Sequence, residues 1–267
     1  MENRDLREKW KYLHRHPEAR EELRQEIRDS WERSYDYGVN PGLRENPYIC
    51  TKTELARYQA NSAYLIETSQ PVMSALFEFV AGTSFVVILG DSNHCILKVI
   101  GDRESLAWAY SARLVEGSLW SEHLVGTNGG SLAMALARPI SIFGYEHFCL
   151  FSHVAACSSA PLLDQGRIIG ILAMAAPFKN VSNHTLGMVV AATNHIKTKM
   201  ELERARLAHE VVTESMSEGV LVVNVNDQIT YINSNCARML KKSKESFLGK
   251  SLHDVFGHTP ENHRFIN

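Results

Sequence analysis

The sequence predicts an α+β protein with an antiparallel sheet flanked by helices. Three observations carry that prediction. Short apolar, partly β-branched runs come in pairs joined by turn residues, as antiparallel hairpins do. Stretches with apolar residues every three or four positions lie beside them, as amphipathic helices do. After residue 183 one long stretch takes a heptad-like spacing, which adds a connecting helix.

Residues 1–46 are dense in charge of both signs, and Ala19, Leu23, Ile27 and Trp31 recur every four residues. That spacing predicts a helix over Glu18–Ser34, with Pro17 at its first position, where no intrahelical N–H partner is needed. The stripe suits docking on the following domain or pairing with a second copy. A second helical stretch covers about Thr53–Val80, with Pro71 as a potential kink. The runs Phe85–Leu89 and Ile96–Ile100, joined by Gly90-Asp-Ser-Asn-His, read as a hairpin. A helix at Gly130–Ala137 and strands at Ile140–Phe143, Val154–Leu163 and Ile168–Ala175 complete a domain over 47–182.

From Asn183 to Thr213, Val189, Thr193, Ile196, Met200, Glu203, Leu207 and Glu210 alternate four-three. A parallel homodimeric seam is the favoured reading, and a helix packed on its own sheet has the same pattern. Residues 214–267 restart with strand-like Gly219–Asn224 and Gln228–Asn233, then two short helical pieces.

Composition narrows the function classes. Among 267 residues, 28 Lys and Arg face 30 Asp and Glu, a formal net charge of −2. A balance so close to neutral gives no global attraction to nucleic-acid phosphates. The apolar run Ser84–Gly90 is far shorter than the ~20 residues a membrane helix needs, so no membrane association is expected. The N-terminus is too charged for a signal peptide. Five cysteines, odd in number and without a CxxC pair, suit a reduced, cytoplasmic protein.

Enzyme signatures are missing from the sequence. Gly249-Lys250-Ser251 imitates the end of a phosphate-binding loop, but the required first glycine is Lys244. No nucleophile elbow, HExxH or GxGxxG opening a helix occurs. Gly126-Thr-Asn-Gly-Gly130 suits a helix cap through Thr127 or Asn128, or an anion held on backbone amides. His147, Cys149, His153 and Cys157 share parity on a strand and form a candidate metal, haem or redox-thiol set. The other reading makes these histidines pocket or backbone partners and the cysteines small core residues. Around them cluster Trp108, Tyr110, Trp120, His123, Asn128, Phe143, Tyr145, His147 and Phe148, the mixture of apolar and polar groups a small-molecule site requires.

Three motifs give the sequence a family likeness: Ile27-Arg-Asp-Ser-Trp-Glu-Arg-Ser34 followed by Gly38-Val-Asn-Pro41; Trp120-Ser-Glu122 with Gly126-Thr-Asn128; and Glu146-His-Phe148 with Cys157-Ser-Ser-Ala-Pro161. Together they resemble the N-terminal sensory region of sigma-54-dependent transcriptional activators of the acetoin and glycerol metabolism regulator type. The resemblance implies a GAF domain with a sensory pocket, followed by the first part of a PAS domain from Glu218. It implies a small-metabolite ligand and no enzyme activity or cofactor. DNA and sigma-54 RNA polymerase would be reached only through domains outside this sequence. A partner protein is the alternative signal, as the glycerol branch suggests. Gly129 replaces an apolar residue of the family pattern, which predicts a more flexible loop. Trp120, His123, Asn128, Phe143, His147 and Phe148 are the expected ligand contacts, with the polar groups orienting the ligand.

Overall fold

The structure is a computed structural model and describes residues 3–180 and 183–257. Two compact units divide it, Met1–Met200 and Glu201–Asn267.

In the first unit α1 (Asn3–Arg15) precedes a 3₁₀ turn at Pro17–Glu22 and α2 (Gln25–Asp36). The single helix expected over Glu18–Ser34 is therefore broken at Leu23–Arg24. Its stripe survives the break: Ala19, Leu23, Ile27 and Trp31 are all buried. They pack with Trp10 and Leu13 against Leu132, Ile140, Ile142 and Phe148, so the stripe docks within the chain. Next come α3 (Lys52–Asn61), opened by a Thr51–Glu54 capping box, and α4 (Ala63–Val80), which runs through Pro71.

Strands β1 (Val86–Asp91) and β2 (Ile96–Ile100) form the expected hairpin. Helices α5 (Arg103–Ser111), α6 (Glu122–Val125) and α7 (Gly129–Ala135) lead to β3 (Ile140–Phe143), β4 (Ala155–Asp164) and β5 (Arg167–Pro177). The sheet is antiparallel throughout, in the order β2-β1-β5-β4-β3. Gln165 and Gly166, both at positive φ, make the two-residue β4–β5 turn, whose twist matches that of the strands.

Strand alternation assigns the two faces different tasks. Val87, Leu89, Leu97, Leu172, Met174 and Ala176 face α4 and the start of α8 (Asn183–Ser215). Val86, Ile88, Ile96, Ile171, Ala173 and Ala175 face the other way, towards Trp108 and Trp120. Val189, Ile196 and Met200 of α8 are buried on the first face, so this half of the heptad seam is intramolecular. Thr193 fits there because its hydroxyl bonds back to the Val189 carbonyl at 2.7 Å. Leu207, Val211 and Val212 are exposed.

The second unit pairs β6 (Leu221–Val223) with β7 (Ile229–Ile232), followed by α9 (Ser234–Met239) and α10 (Leu252–Phe256). Ile229, Ile232, Ala237 and Phe247 form its core. Buried Asn233 accepts from the amides of Val220 and Cys236 and donates to the carbonyls of Thr213 and Glu218. The false phosphate-loop residues do structural work. Gly249 and Lys250 exchange backbone hydrogen bonds with Ile229, and Ser251 caps α10. Residues 258–267 of the segment assigned to this domain lie outside the described residues.

Replacing Trp31 with Ala removes a fully buried indole that also donates to the Glu146 carbonyl. The expected loss is about 3–5 kcal/mol of unfolding free energy, read as a lower urea midpoint.

Candidate ligand cavity

Between the second sheet face and its cover lies a cavity of about 80 Å³. Ile88, Ile171, Ala173 and Ala175 form its floor, and Trp108, Trp120 and Phe151 form much of its cover. No Asp, Glu, Lys or Arg among the described residues lines it. The short side chains on β5 make the room, while the Trp120 indole, edge-on to Phe151 at 5.5 Å, closes it.

Of the six expected contacts, Trp120, Asn128 and His147 line this cavity. Their polar atoms are unequally available. Trp120 donates its indole N–H to Ser118 Oγ at 2.9 Å. Asn128 Nδ2 donates to the carbonyls of Trp120 and Gly126, at 2.9 and 3.0 Å, and its Oδ1 accepts from the Ser131 amide. Asn128 is thus the N-cap of α7, with no donor left for a ligand. His147 Nδ1 lies 3.0 Å from the Gly144 carbonyl, which can only accept, so Nδ1 carries the proton. Burial lowers the His147 pKa to about 4, opposed by the hydrogen bond to Gly144. The imidazole is neutral at pH 7, and its Nε2 is an acceptor.

The other three expected contacts lie elsewhere. Phe143 pairs with Ala156, which pairs with Ala176, placing it on the sheet face opposite Cys157 and Ala175. Phe148 is buried in the N-terminal core, edge-on to Trp31 at 5.6 Å and Tyr35 at 4.9 Å. His123, within the single turn of α6, packs edge-on to Tyr37 beside a shallow groove shared with His94 and Glu122.

The proposed metal set does not assemble: no group of three or more metal-binding side chains occurs among the described residues. Parity along 147–157 fails because a 3₁₀ turn at Leu150–Ser152 interrupts the chain and β4 starts only at Ala155. Cys149 points its thiol to the Asn40 carbonyl, and His153 bonds to Leu150 O. Burial pushes the thiols of Cys149 and Cys157 up, to about 12 and about 11, away from the metal-binding thiolate.

Trp108, expected in the aromatic cluster but not among the ligand contacts, also lines the cavity, as do Cys157, expected only in the metal or redox set, and Ser152, which was not singled out. The Ile171-x-Ala173-x-Ala175 alternation was the available signal for the floor. Gly129 also has a tighter role than expected. It starts α7 rather than loosening a loop, and a Cβ there would lie 2.9 Å from both Cys157 Sγ and Ser159 Oγ.

The three sequence motifs meet one another around this cavity. Ser30 donates to Glu122 and lies 2.7 Å from Thr127 Oγ1. Arg33 bonds to the Glu122 carboxylate at 2.9 Å. Trp31 donates to the Glu146 carbonyl at 2.8 Å, and Arg24 pairs with the Glu146 carboxylate through Nε and Nη2. Gly126, at φ +66°, has Phe148 where its Cβ would be.

This arrangement belongs to a class of bacterial regulatory regions. Residues 7–202 match the family described as MimR, N-terminal domain, and the chain belongs to that family. Residues 209–265 match the PAS fold. Among its relatives are the acetoin dehydrogenase operon transcriptional activator AcoR of Bacillus subtilis and a signal-transduction and transcriptional-control protein of Clostridium beijerinckii. AcoR is 27% identical over 237 residues, covering 87% of this chain and 39% of the relative. The Clostridium protein is 30% identical, covering 86% and 38%. The chain therefore spans less than two-fifths of either relative. The E. coli DhaR(N)–DhaL complex contains a similar fold, with a TM-score of 0.69 at 21% identity over 86% of this chain and 81% of that one. These named relatives are regulators of transcription.

A buried neutral histidine makes stability depend on pH. The unfolded chain binds a proton at His147 near pH 6.5 and the folded chain only near 4, so stability falls as pH drops through that window. His14, also lowered to about 4 by burial, acts in the same direction. Urea titrations from pH 7 to pH 4 should show the decline, with about 3 kcal/mol from His147 at the lower end. His147→Gln should remove its share of the decline and leave the share due to His14.

Proposed function

We propose that the chain is the ligand-sensing region of a sigma-54-dependent transcriptional activator, with a GAF-type domain that binds a small uncharged metabolite. The observation that carries this reading is the apolar cavity with the neutral His147 facing it. A carboxylate or phosphate entering it would lose its hydration and meet no cation, a cost of several kcal/mol. A short alcohol can place its carbons against Trp108 and Trp120 and donate its hydroxyl to His147 Nε2.

Relay follows from the same strand. Ile171, Ala173 and Ala175 touch the cavity, while their alternating neighbours Leu172, Met174 and Ala176 pack with Val189, Ile196 and Met200 of α8. A ligand that spreads the floor of the cavity shifts the seat of the helix. It changes the output only by binding one arrangement more tightly than the other. Downstream of the PAS domain, the signal would reach an ATPase outside this sequence. Dimerisation is part of the proposal and uses the exposed Leu207 and Val211, spaced by four.

A thermal-shift series tests the ligand class. Short alcohols should raise the melting temperature and carboxylates of equal length should not. A ligand of about six non-hydrogen atoms has a ceiling near −9 kcal/mol, so dissociation constants should be about 0.3 μM or weaker. His147→Leu should weaken alcohol binding about tenfold, measured by calorimetry. Equal binding of both classes, or an unaffected variant, sinks this reading. A response to no small molecule would favour a partner protein, the mode named for the DhaR(N)–DhaL complex.

Leu207→Glu should shift a dimer towards monomer in sedimentation velocity. An unchanged dimer would place the contact elsewhere.

A further inference from the structure

Helix α7 opens with two glycines on the cavity wall, Gly129 and Gly130, and the two lack side chains for different reasons. Gly129 has no room for one. A Cβ there would lie 2.9 Å from both Cys157 Sγ and Ser159 Oγ, well inside the separation at which heavy atoms pack, so α7 rests directly on β4 at that point. Gly130 meets no such obstacle. Its Cβ would lie 3.6 Å from Ile171 Cδ1, 3.8 Å from Ile171 Cγ1 and 3.6 Å from Asn128 Oδ1, all ordinary contact distances. Its φ also lies outside the left-handed region that favours glycine.

Neither backbone conformation nor packing therefore calls for glycine at 130. The residue even forgoes helix stability that alanine would supply. What the missing side chain provides is space. Ile171 and Asn128, the two side chains that a Cβ would touch, both line the cavity, as Gly130 itself does. A methyl group at 130 would stand between the floor of the cavity and the cap of α7.

We propose that Gly130 is a size-selecting residue, whose bare backbone admits about one more ligand carbon than alanine would in its place. This assignment rests on the reading of the cavity as a small-metabolite site. The selection acts through volume. Alanine keeps the amide and carbonyl of glycine and adds no polar atom, so the hydrogen bonds of His147 to Gly144 and of Asn128 to Ser131 need no rearrangement. One methylene too many in an apolar pocket weakens binding by roughly 10–200-fold.

The test compares the whole chain with its Gly130→Ala variant, using two kinds of probe. Dissolved xenon requires only apolar space, and straight-chain alcohols from ethanol to pentanol report on length. Xenon binding is followed by xenon NMR and alcohol binding by calorimetry. The variant should melt at the same temperature or higher, bind xenon about tenfold more weakly or worse, and prefer an alcohol about one carbon shorter. Gly129→Ala, made alongside, should melt lower because its Cβ collides with Cys157 and Ser159. Equal xenon binding by the wild-type chain and Gly130→Ala would overturn the assignment. So would a Gly130→Ala variant that melts as low as Gly129→Ala. If xenon is excluded by the variant and no alcohol binds either chain, Gly130 keeps its role and the alcohol reading falls instead. Xenon taken up by neither chain would sink both.

Discussion

The contact on which the rest depends is the seating of α2 against the chain's own loops. Trp31 hands its indole proton to the Glu146 carbonyl, while the Glu146 carboxylate holds Arg24 and the Phe143 amide. Ser30 and Arg33 hold Glu122 from the same helix. The buried Ser30, Trp31 and Glu146 each find partners, which burial demands. One helix thus fixes the two loops that carry Trp120, Asn128 and His147, and the cavity inherits its shape from a clamp some residues away. Removing a clamp member would act on the shape of the cavity from outside it.

Strand β5 is the second organising feature. Alternation lets one strand serve two surfaces, with small residues where space is needed and large ones where a helix must rest. Gly170 marks how tightly it lies against β1, since a Cβ there would meet the Gly90 carbonyl at 2.3 Å. A strand packed so closely on both sides transmits a displacement rather than absorbing it.

Much of the fold was legible in the sequence because its signals are local. The hairpin at Ile96–Ile100, the strand Ile140–Phe143 and the long helix from Asn183 all come from periodicity. The site was legible only in part. Of the expected contacts, Trp120, Asn128 and His147 line the cavity, yet the motif residues owe their prominence mainly to the clamp, which sequence spacing cannot separate from a pocket. Phe148 is expected as a contact from its place in the aromatic cluster, but the turn sends it into the N-terminal core. Phe143 was misplaced because its face depends on which partner strand it meets. The parity argument for Cys149 and His153 failed for a related reason, since three residues of 3₁₀ turn erase a strand's alternation. The heptad seam was half misleading: Val189 and Ile196 have the spacing of a coiled coil and bury themselves on their own sheet.

Asn128 and the Trp120 indole spend their hydrogen-bonding capacity on the protein itself. The walls beside them, Ala173, Ala175 and Ile171, carry no polar duty. The load of the scaffold and the shape of the cavity thereby rest on different residues, with the hydrogen bonds on Asn128 and Trp120 and the volume on three strand positions. Enlarging Ala173 or trimming Ile171 changes the volume of the cavity without rewiring a bond that the scaffold needs. A scaffold partitioned in this way can have its cavity reshaped by a few apolar substitutions while its architecture stays put.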